Sequence, residues 1–180
     1  MSVNKISVLG AGSWGTTFAK VIADCSEETK TNHHISLWAR RQNVADEINQ
    51  DHLNTDYTKD IALPEAITAT TDLTESVTDA DIVVLAIPAQ ALRPYLSEIK
   101  PILGASTLVV SLIKGLERET GLRMSQVIGA ELGIEEDRIV VVSGPNLSTG
   151  TASAPSWCAT WMPVTTRRCR ESSPSSRSRW

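Results

Sequence analysis

The stretch Val8-Leu9-Gly10-Ala11-Gly12-Ser13-Trp14-Gly15 decides how this chain folds. It follows a short apolar run over Ile6–Leu9, which predicts a strand, and it opens a run with helical character over Trp14–Asp24. Glycines in the pattern G-x-G-x-x-G, placed between a strand and a helix, are typical of turns that bind the diphosphate of a dinucleotide. Further alternation of strands and helices favours this interpretation over a glycine-rich turn without a ligand.

Each glycine has a separate physical task in such a turn. Gly10 allows the chain to turn sharply off the strand, and Gly12 has no side chain to keep a diphosphate away from the backbone. Gly15 allows the helix to lie close to the sheet. The free N–H groups at the start of the helix, and the positive end of its dipole, then face the phosphates.

Apolar runs and helical periodicity alternate through the first 143 residues, which predicts an α/β fold. The predicted strands are Lys5–Leu9, Ile35–Ala39, Ile67–Thr71, Asp81–Ile87, Thr107–Leu112 and Arg138–Ser143. The predicted helices are Trp14–Asp24, Asn43–Asn49, Leu73–Thr78, Ala91–Ile99 and Met124–Leu132. This order calls for an open, mainly parallel, doubly wound sheet of the Rossmann type with right-handed crossovers.

The segments between these elements are predicted to be polar and exposed. Asp24–Asn32 has the composition of a surface loop, and Leu53–Leu63 that of a polar connection. His33 and His34 are interpreted as solvated loop residues rather than metal ligands. Gly133 is predicted to end the helix before it, because glycine is the residue that most easily adopts the left-handed conformation found there.

Ligands of open parallel α/β sheets bind beyond the carboxyl ends of the strands. The residues at those ends therefore form the candidate site. They are Gly10–Gly15, Arg40, Arg41, Pro88–Gln90, Lys114 and Ser143–Asn146. By position alone, Gly10, Gly12, Gly15 and Pro88 are candidate cofactor contacts.

The segment after the second strand bears on the identity of the cofactor. An NAD-specific fold places an acidic residue about 20 residues beyond the first glycines, where it binds the ribose hydroxyls. Here the strand ends in Ala39-Arg40-Arg41 instead. A guanidinium pairs with phosphate in two-point geometry. The arginine pair therefore favours NADP(H), while NAD(H) stays possible and a solvated basic turn is the alternative.

Composition narrows the classes of function. The net charge of −4 argues against a general nucleic-acid-binding protein, and no apolar run reaches the ~18 residues of a membrane span. The first residues show no secretory pattern. Cys25, Cys158 and Cys169 have no metal-like spacing and are an odd number for a disulfide framework. We therefore expect a small-molecule ligand, no metal and a cytoplasmic location.

The last part of the sequence differs in kind from the rest. Residues 1–148 carry 12 Lys and Arg against 20 Asp and Glu, whereas residues 149–180 carry five Arg and one acidic residue. Three of the five Trp also lie in that last segment. We predict a dinucleotide-binding domain over residues 1–148 and an aberrant, disordered Ser/Arg/Trp-rich tail over residues 149–180. The acidic body disfavours nucleic-acid binding through this tail.

Five motifs in order resemble the bacterial-type NAD(P)-dependent glycerol-3-phosphate dehydrogenases. They are Gly10-Ala11-Gly12-Ser13-Trp14-Gly15-Thr16, Leu37-Trp38-Ala39-Arg40-Arg41, Pro88-Ala89-Gln90-Ala91-Leu92-Arg93, Lys114-Gly115-Leu116-Glu117 and Ser143-Gly144-Pro145-Asn146-Leu147. The resemblance covers residues 5 to about 148. Together the motifs are far more specific than the first one alone.

The resemblance implies a reversible hydride transfer between NAD(P)H and dihydroxyacetone phosphate, which gives sn-glycerol 3-phosphate for phospholipid synthesis. The cofactor contacts that it implies are Ser13, Trp14, Arg40, Arg41, Lys114 and Ser148. The substrate contacts that it implies are Lys114, Gly144 and Asn146. Chemistry supports Lys114 independently, because an ammonium beside the nicotinamide can polarise a ketone carbonyl. An oligomer is possible in the full-length family.

The family continues into an all-helical second domain that holds its principal catalytic lysine, and nothing after residue 148 matches that domain. Read two bases later, the codons of Ser156–Pro163 encode an apolar run that ends in Asp and Ala. This favours a frameshift near Ser148 over a genuine interaction tail or an unrelated C-terminus. Three functions stay open: this dehydrogenase with little or no turnover, a dinucleotide-binding remnant without catalysis, and a different hydroxyacid-type reductase.

Overall fold

The computed structural model describes residues 3–142 of the chain. The strands are β1 (Lys5–Leu9), β2 (His34–Trp38), β3 (Ile67–Thr70), β4 (Ile82–Leu85), β5 (Leu108–Ser111) and β6 (Ile139–Val141). The helices are α1 (Ser13–Thr29), α2 (Gln42–Asp51), α3 (Thr55–Thr58), α4 (Leu73–Val77), α5 (Leu92–Ile99) and α6 (Met124–Leu132). Every predicted strand and helix is present, with ends that shift by a few residues.

The six strands form one sheet in the order β3-β2-β1-β4-β5-β6, and every neighbouring pair is parallel. The chain runs outward from β1 to one edge and then returns to the other side of β1 with β4. This confirms the predicted Rossmann-type, doubly wound sheet. The point at which the strand order reverses lies between β1 and β4, and ligands of such sheets bind there.

Both faces of the sheet are covered, which explains why its strands are almost continuously apolar. Alternate residues of β1 and β4 pack with α1 and α2 on one face and with α4, α5 and α6 on the other. The first layer holds Ile6, Val8, Phe18, Ile48 and Val84. The second holds Leu9, Leu85, Leu92, Leu96 and Ile128. Each large aliphatic side chain buried in this way contributes about 1.5–3 kcal/mol.

The first helix is longer than the sequence pattern indicated. The surface loop expected over Asp24–Asn32 is wrong, because α1 continues to Thr29 and ends at Lys30 in the left-handed conformation. Cys25 and Ser26 continue the buried face of the helix. Small polar side chains on that face hid its helical periodicity.

The interpretation of His33 as a solvated residue is also wrong. His33 is buried, and its ring Nδ1–H donates a hydrogen bond of 2.7 Å to the carbonyl oxygen of Val3. His34 is exposed, but it belongs to β2, and its Nε2 lies 3.2 Å from Thr68 Oγ1 on β3. Both imidazoles therefore tie the beginnings of strands together.

Two helix ends follow from their residues. The helix α5 begins at Leu92, which places Pro94 in its first turn. The N–H groups of a first turn make no intrahelical hydrogen bond, so the N–H that proline lacks costs the helix nothing there. A short 3₁₀ turn over Ala89–Ala91 leads into it. Gly133 ends α6 in the left-handed conformation with a φ of 70°, as predicted. Among residues 3–142, no helix is both long and apolar enough to cross a membrane.

Candidate functional site

A cleft of about 310 Å³ opens at the carboxyl ends of β1, β2 and β4, at the point where the strand order reverses. Five of the residues singled out in the sequence line it together: Gly10, Gly12, Arg40, Arg41 and Pro88. The structure therefore brings the glycine-rich turn, the arginine pair and the segment after β4 to one place. Ala11, Trp38, Ala39, Val44, Tyr57, Ala86, Ile87, Ala91 and Tyr95 complete the lining.

The geometry of the turn distinguishes the three glycines. Gly10 has a φ of +118°, and a Cβ there would lie 2.7 Å from the carbonyl oxygen of Ala86. A Cβ at Gly15 would lie 1.9 Å from the carbonyl oxygen of Gly10. A Cβ at Gly12 would meet no atom of residues 3–142 within 4 Å. Gly10 and Gly15 are thus required by protein contacts, whereas Gly12 leaves space on the cleft side of the turn.

Helix α1 begins directly after Gly12. Gly12 is its N-cap residue and has no side chain that could cap the helix, and the first turn contains no acidic residue. The positive end of the helix dipole therefore favours an anion at this position. Ser13, Trp14 and Gly15 form this first turn and are not among the residues that line the cleft. The Trp14 ring packs at 6.2 Å from Phe18.

The two arginines after β2 differ in their partners. Arg41 Nη2 donates a hydrogen bond of 2.6 Å to the carboxylate of Asp56, and its guanidinium lies 5.8 Å from the centre of the Tyr57 ring. The bond to Asp56 raises the pKa of Arg41 above its ordinary value. Arg40 is exposed and has no hydrogen-bond or ion-pair partner among residues 3–142. Among the described residues that line the cleft, Arg40 is therefore the cation that a ligand can engage without breaking a protein contact.

Both tyrosines of the chain line the cleft, and neither is among the residues that the sequence motifs predicted for the site. Tyr95 packs edge-on against Trp38 at 5.1 Å, and Trp38 Nε1 donates to the carbonyl oxygen of Thr71. Tyr57 lies on α3, inside the segment that was read as a plain polar connection. The scarcity of aromatic residues was the available signal, because the chain has two Tyr and one Phe.

Lys114 lies outside this cleft, in the exposed loop that follows β5. The Gln90 side chain makes two hydrogen bonds to the backbone of that loop. Its Nε2 donates to the carbonyl oxygen of Leu116 at 3.0 Å, and its Oε1 accepts from the backbone N–H of Arg118 at 3.1 Å. Through Gln90, the segment after β4 thus fixes the position of the backbone at Leu116 and Arg118, just beyond Lys114.

A charged cluster holds the far side of the same loop. Arg93 on α5 donates two hydrogen bonds to the carboxylate of Glu117, at 2.7 and 2.9 Å, and a third to Glu131 on α6 at 2.8 Å. The bonds from Arg93, and a further one from Thr120, lower the pKa of Glu117 to about 2. Ser97 and Arg93 also lower the pKa of Glu131. Glu117 therefore stays ionised near neutral pH, and its ion pair with Arg93 connects the loop to α5.

The remaining predicted site residues, Ser143, Gly144, Asn146 and Ser148, lie outside the described residues, as does the segment 149–180. Their roles stay predictions, and so does the domain boundary at residue 148. Among residues 3–142, no group of three or more His, Cys, Asp or Glu side chains has the geometry of a metal site.

Comparison with known proteins identifies the family. The sequence model that describes the N-terminus of NAD-dependent glycerol-3-phosphate dehydrogenase matches residues 5–168. The chain belongs to this family. A curated glycerol-3-phosphate dehydrogenase [NAD(P)+] from Corynebacterium diphtheriae is 50% identical over 144 residues, which cover 80% of this chain and 42% of the relative. The five sequence motifs thus belong to the family that they resemble.

Solved structures of the same family share the fold. A glycerol-3-phosphate dehydrogenase from Coxiella burnetii matches with a TM-score of 0.72 at 29% identity, over 85% of this chain and 44% of that one. The enzyme from Saccharomyces cerevisiae matches with a TM-score of 0.75 at 33% identity, over 83% and 44%. The chain thus spans less than half the length of these relatives, and the family model that it matches describes the N-terminus.

Proposed function

We propose that the cleft binds the nicotinamide dinucleotide of a glycerol-3-phosphate dehydrogenase. The whole protein would interconvert dihydroxyacetone phosphate and sn-glycerol 3-phosphate. The observation that carries this proposal is the space at Gly12, where α1 begins and where the strand order reverses in a chain of this family. Ligand sites typically occupy about 300–1,000 Å³, and the cleft is within that range at about 310 Å³.

The residues present fit a dinucleotide. Its diphosphate would lie against the backbone at Gly12, where a side chain is absent and the helix dipole favours negative charge. The adenosine end would lie towards Arg40, whose exposed guanidinium suits a 2′-phosphate. We therefore propose a preference for NADP(H) over NAD(H).

The chemistry of the reaction divides between the cofactor and the chain. When bound, the nicotinamide supplies or accepts the hydride. Lys114 would hold a positive charge beside the ketone and polarise its carbonyl. The fixed backbone around Leu116 would keep the loop in one conformation for that role. Gly144 and Asn146 are proposed to contact the substrate, and Ser148 the cofactor.

Titration of the 180-residue chain with NADPH and NADH tests the binding part of the proposal. The expected result is saturable binding of both, with NADPH tighter and with Arg40→Glu removing most of the difference. Tighter binding of NADH that charge reversal at Arg40 and Arg41 leaves unchanged would contradict the NADP(H) preference. No binding of either nucleotide would contradict the proposed function itself.

Reduction of dihydroxyacetone phosphate, followed by the loss of NADPH absorbance, separates the remaining alternatives. Binding without turnover identifies a dinucleotide-binding protein without catalysis. Turnover of another ketone but not this one identifies a different reductase. In an active preparation, loss of turnover in Lys114→Ala with nucleotide binding retained supports the proposed role of Lys114.

A further inference from the structure

One fully buried amide joins the glycine-rich turn to the rest of the cleft. The side chain of Asn54 is 0% exposed, and its Nδ2 donates to the carbonyl oxygen of Ala11 at 3.0 Å and to Thr16 Oγ1 at 2.8 Å. We propose that Asn54 is a positioning residue for the dinucleotide's diphosphate. This inference rests on the proposed nucleotide binding and names a residue outside the motifs that predicted it.

The contact to Ala11 determines how the turn presents its backbone. A carbonyl oxygen can only accept a hydrogen bond, so the Asn54 amide must turn its NH₂ group towards Ala11. The described residues contain no cis peptide bond. In a trans peptide the carbonyl and the next N–H point in opposite directions. With the Ala11 carbonyl held by Asn54, the N–H of Gly12 is therefore directed away from Asn54.

The contact to Thr16 fixes the same turn to the helix. Thr16 is fully buried, and its backbone N–H donates to the carbonyl oxygen of Gly12 at 2.9 Å in the first hydrogen bond of α1. One NH₂ group thus bridges the residue before Gly12 and the residue that closes the first helical turn. Both ends of the phosphate-facing backbone are set by a single side chain.

The backbone of Asn54 extends this connection to the arginine pair. Its carbonyl oxygen accepts from the N–H groups of Tyr57 and Thr58, at 3.1 and 2.8 Å, which starts α3. The same short helix presents Asp56 and Tyr57 to Arg41. The segment that was expected to be a plain connection therefore links the diphosphate end of the cleft to its adenosine end.

An unpaired atom argues against a purely structural role for Asn54. Its Oδ1 is buried and has no hydrogen-bond partner in the described part of the chain. A buried acceptor without a donor disfavours the folded state. The Oδ1 atom therefore lowers the stability of the folded state, whereas the NH₂ group makes the two contacts that hold the turn. We interpret the retention of this amide as a requirement of the turn's geometry.

The test compares the affinity of ADP-ribose for the full chain and for Asn54→Asp across pH. ADP-ribose has the same diphosphate, lacks the nicotinamide and carries no group that titrates between about pH 5.5 and 8. At pH 8 the introduced carboxylate could accept from the Thr16 hydroxyl, but it could not donate to the carbonyl oxygen of Ala11. We expect the dissociation constant to rise about tenfold.

If the hydrogen-bond donor to Ala11 is what supports binding, lowering the pH should restore the ADP-ribose affinity of Asn54→Asp. Burial raises the pKa of a carboxyl group, and the protonated group can donate one hydrogen bond to Ala11. The affinity of Asn54→Asp is therefore expected to recover to within about threefold of the original chain near pH 5.5. The original chain should show no such change. A residue with a structural role only would alter the urea midpoint and leave the dissociation constant of the folded protein unchanged at every pH.

Two further variants keep the test decisive. Asn49→Asp is the matched control, because Asn49 Nδ2 also donates to a backbone carbonyl, that of Ala69, at 2.9 Å, and it does not line the cleft. It should leave ADP-ribose affinity unchanged. If Asn54→Asp does not fold, Thr16→Val and Thr16→Ser carry the test. The valine should weaken binding severalfold, and the serine, which keeps the hydroxyl, should not.

The outcomes separate this inference from the function on which it rests. If the original chain does not bind ADP-ribose, the proposed nucleotide binding fails and the role of Asn54 fails with it. If it binds, and the Asn54 and Thr16 variants bind equally well, the positioning role alone is overturned. Weakened binding that acid reverses in Asn54→Asp, with Asn49→Asp unaffected, supports it.

Discussion

Arg41 donates a hydrogen bond of 2.6 Å to the carboxylate of Asp56, so an acidic side chain from α3 already holds one of the two arginines at the end of β2. Arg40, the other, has no such partner among the described residues. The two cations that look equivalent in the sequence are therefore different in the fold. A 2′-phosphate can pair with Arg40 directly, but it must compete with Asp56 for Arg41.

If the proposed preference for NADPH holds, removing this competitor should increase it. Asp56→Asn takes away the negative charge and frees the Arg41 guanidinium, so NADPH affinity is expected to rise up to about fivefold, while NADH affinity changes little. Fluorescence titration of both nucleotides measures the ratio. Asp24→Asn is the matched control, because it removes an ion pair of the same 2.6 Å length with Lys20, further along α1. An equal rise in both variants would show a general charge effect and refute the competition.

The task of Gly12 can be separated from that of Gly15 by single methyl groups. Gly12→Ala should leave the urea midpoint nearly unchanged, because the backbone there is extended with a φ of −78° and the added Cβ meets nothing within 4 Å. It should nevertheless weaken ADP-ribose binding more than about tenfold, because the methyl group occupies the space of the diphosphate.

Gly15→Ala should behave in the opposite way. Its Cβ would lie 1.9 Å from the carbonyl oxygen of Gly10, so the helix must move off the sheet. Overpacking of this kind costs about 1–3 kcal/mol of unfolding free energy or more, which urea denaturation monitored by circular dichroism would detect. Equal stability of the two alanine variants would contradict the contacts described for the turn.

The fold was predictable because its signals are local. Runs of apolar and β-branched residues identified the six strands, and glycines at positions 10, 12 and 15 identified the turn. The contacts of His33 and Asn54 could not be predicted in the same way. Val3, the partner of His33, is 30 residues away in the sequence, and Ala11, the partner of Asn54, is 43 residues away. Neither contact leaves a periodic pattern in the sequence.

Part of the candidate site could be predicted from the order of the strands. Parallel strands have their carboxyl ends at one edge of the sheet, so the residues that follow β1, β2 and β4, among them Gly12, Arg40 and Pro88, lie close together. Residues that reach the cleft from outside the sheet follow no such rule. Tyr57 comes from a four-residue helix inside a polar segment, and Tyr95 comes from the side of α5. Only packing of the whole chain places these two rings.

The ion pair between Arg93 and Glu117 should make stability depend on acid in a defined range. The pKa of Glu117 is lowered from 4.5 to about 2 by its bonds to Arg93 and Thr120. A lowered carboxyl pKa stabilises the folded state above the unfolded pKa, and that contribution disappears as the pH falls towards the folded pKa. Glu117→Gln should therefore have a lower urea midpoint than the original chain near pH 7, and the difference should shrink between pH 4.5 and about 2.

A control separates this pair from acid denaturation in general. Glu119→Gln changes an exposed neighbour in the same loop whose carboxylate accepts none of these bonds, so its difference from the original chain should be small at every pH. A difference for Glu117→Gln that stays constant down to pH 2 would show that packing, rather than the charge, accounts for the effect.

Gln90 should control the loop that carries Lys114 without contributing to nucleotide affinity. Its side chain brackets the loop through Leu116 and Arg118, so Gln90→Ala removes an acceptor from the Arg118 N–H and leaves that amide facing water. Hydrogen exchange at Arg118 is expected to accelerate about tenfold, as for a lost local hydrogen bond, while the dissociation constant of ADP-ribose stays within about twofold. Gln42→Ala, which removes side-chain bonds to Asp46 and Thr71 instead, should leave exchange at Arg118 unchanged. Unaltered exchange in Gln90→Ala would mean that the contacts of Arg93 and Glu117 alone determine the loop.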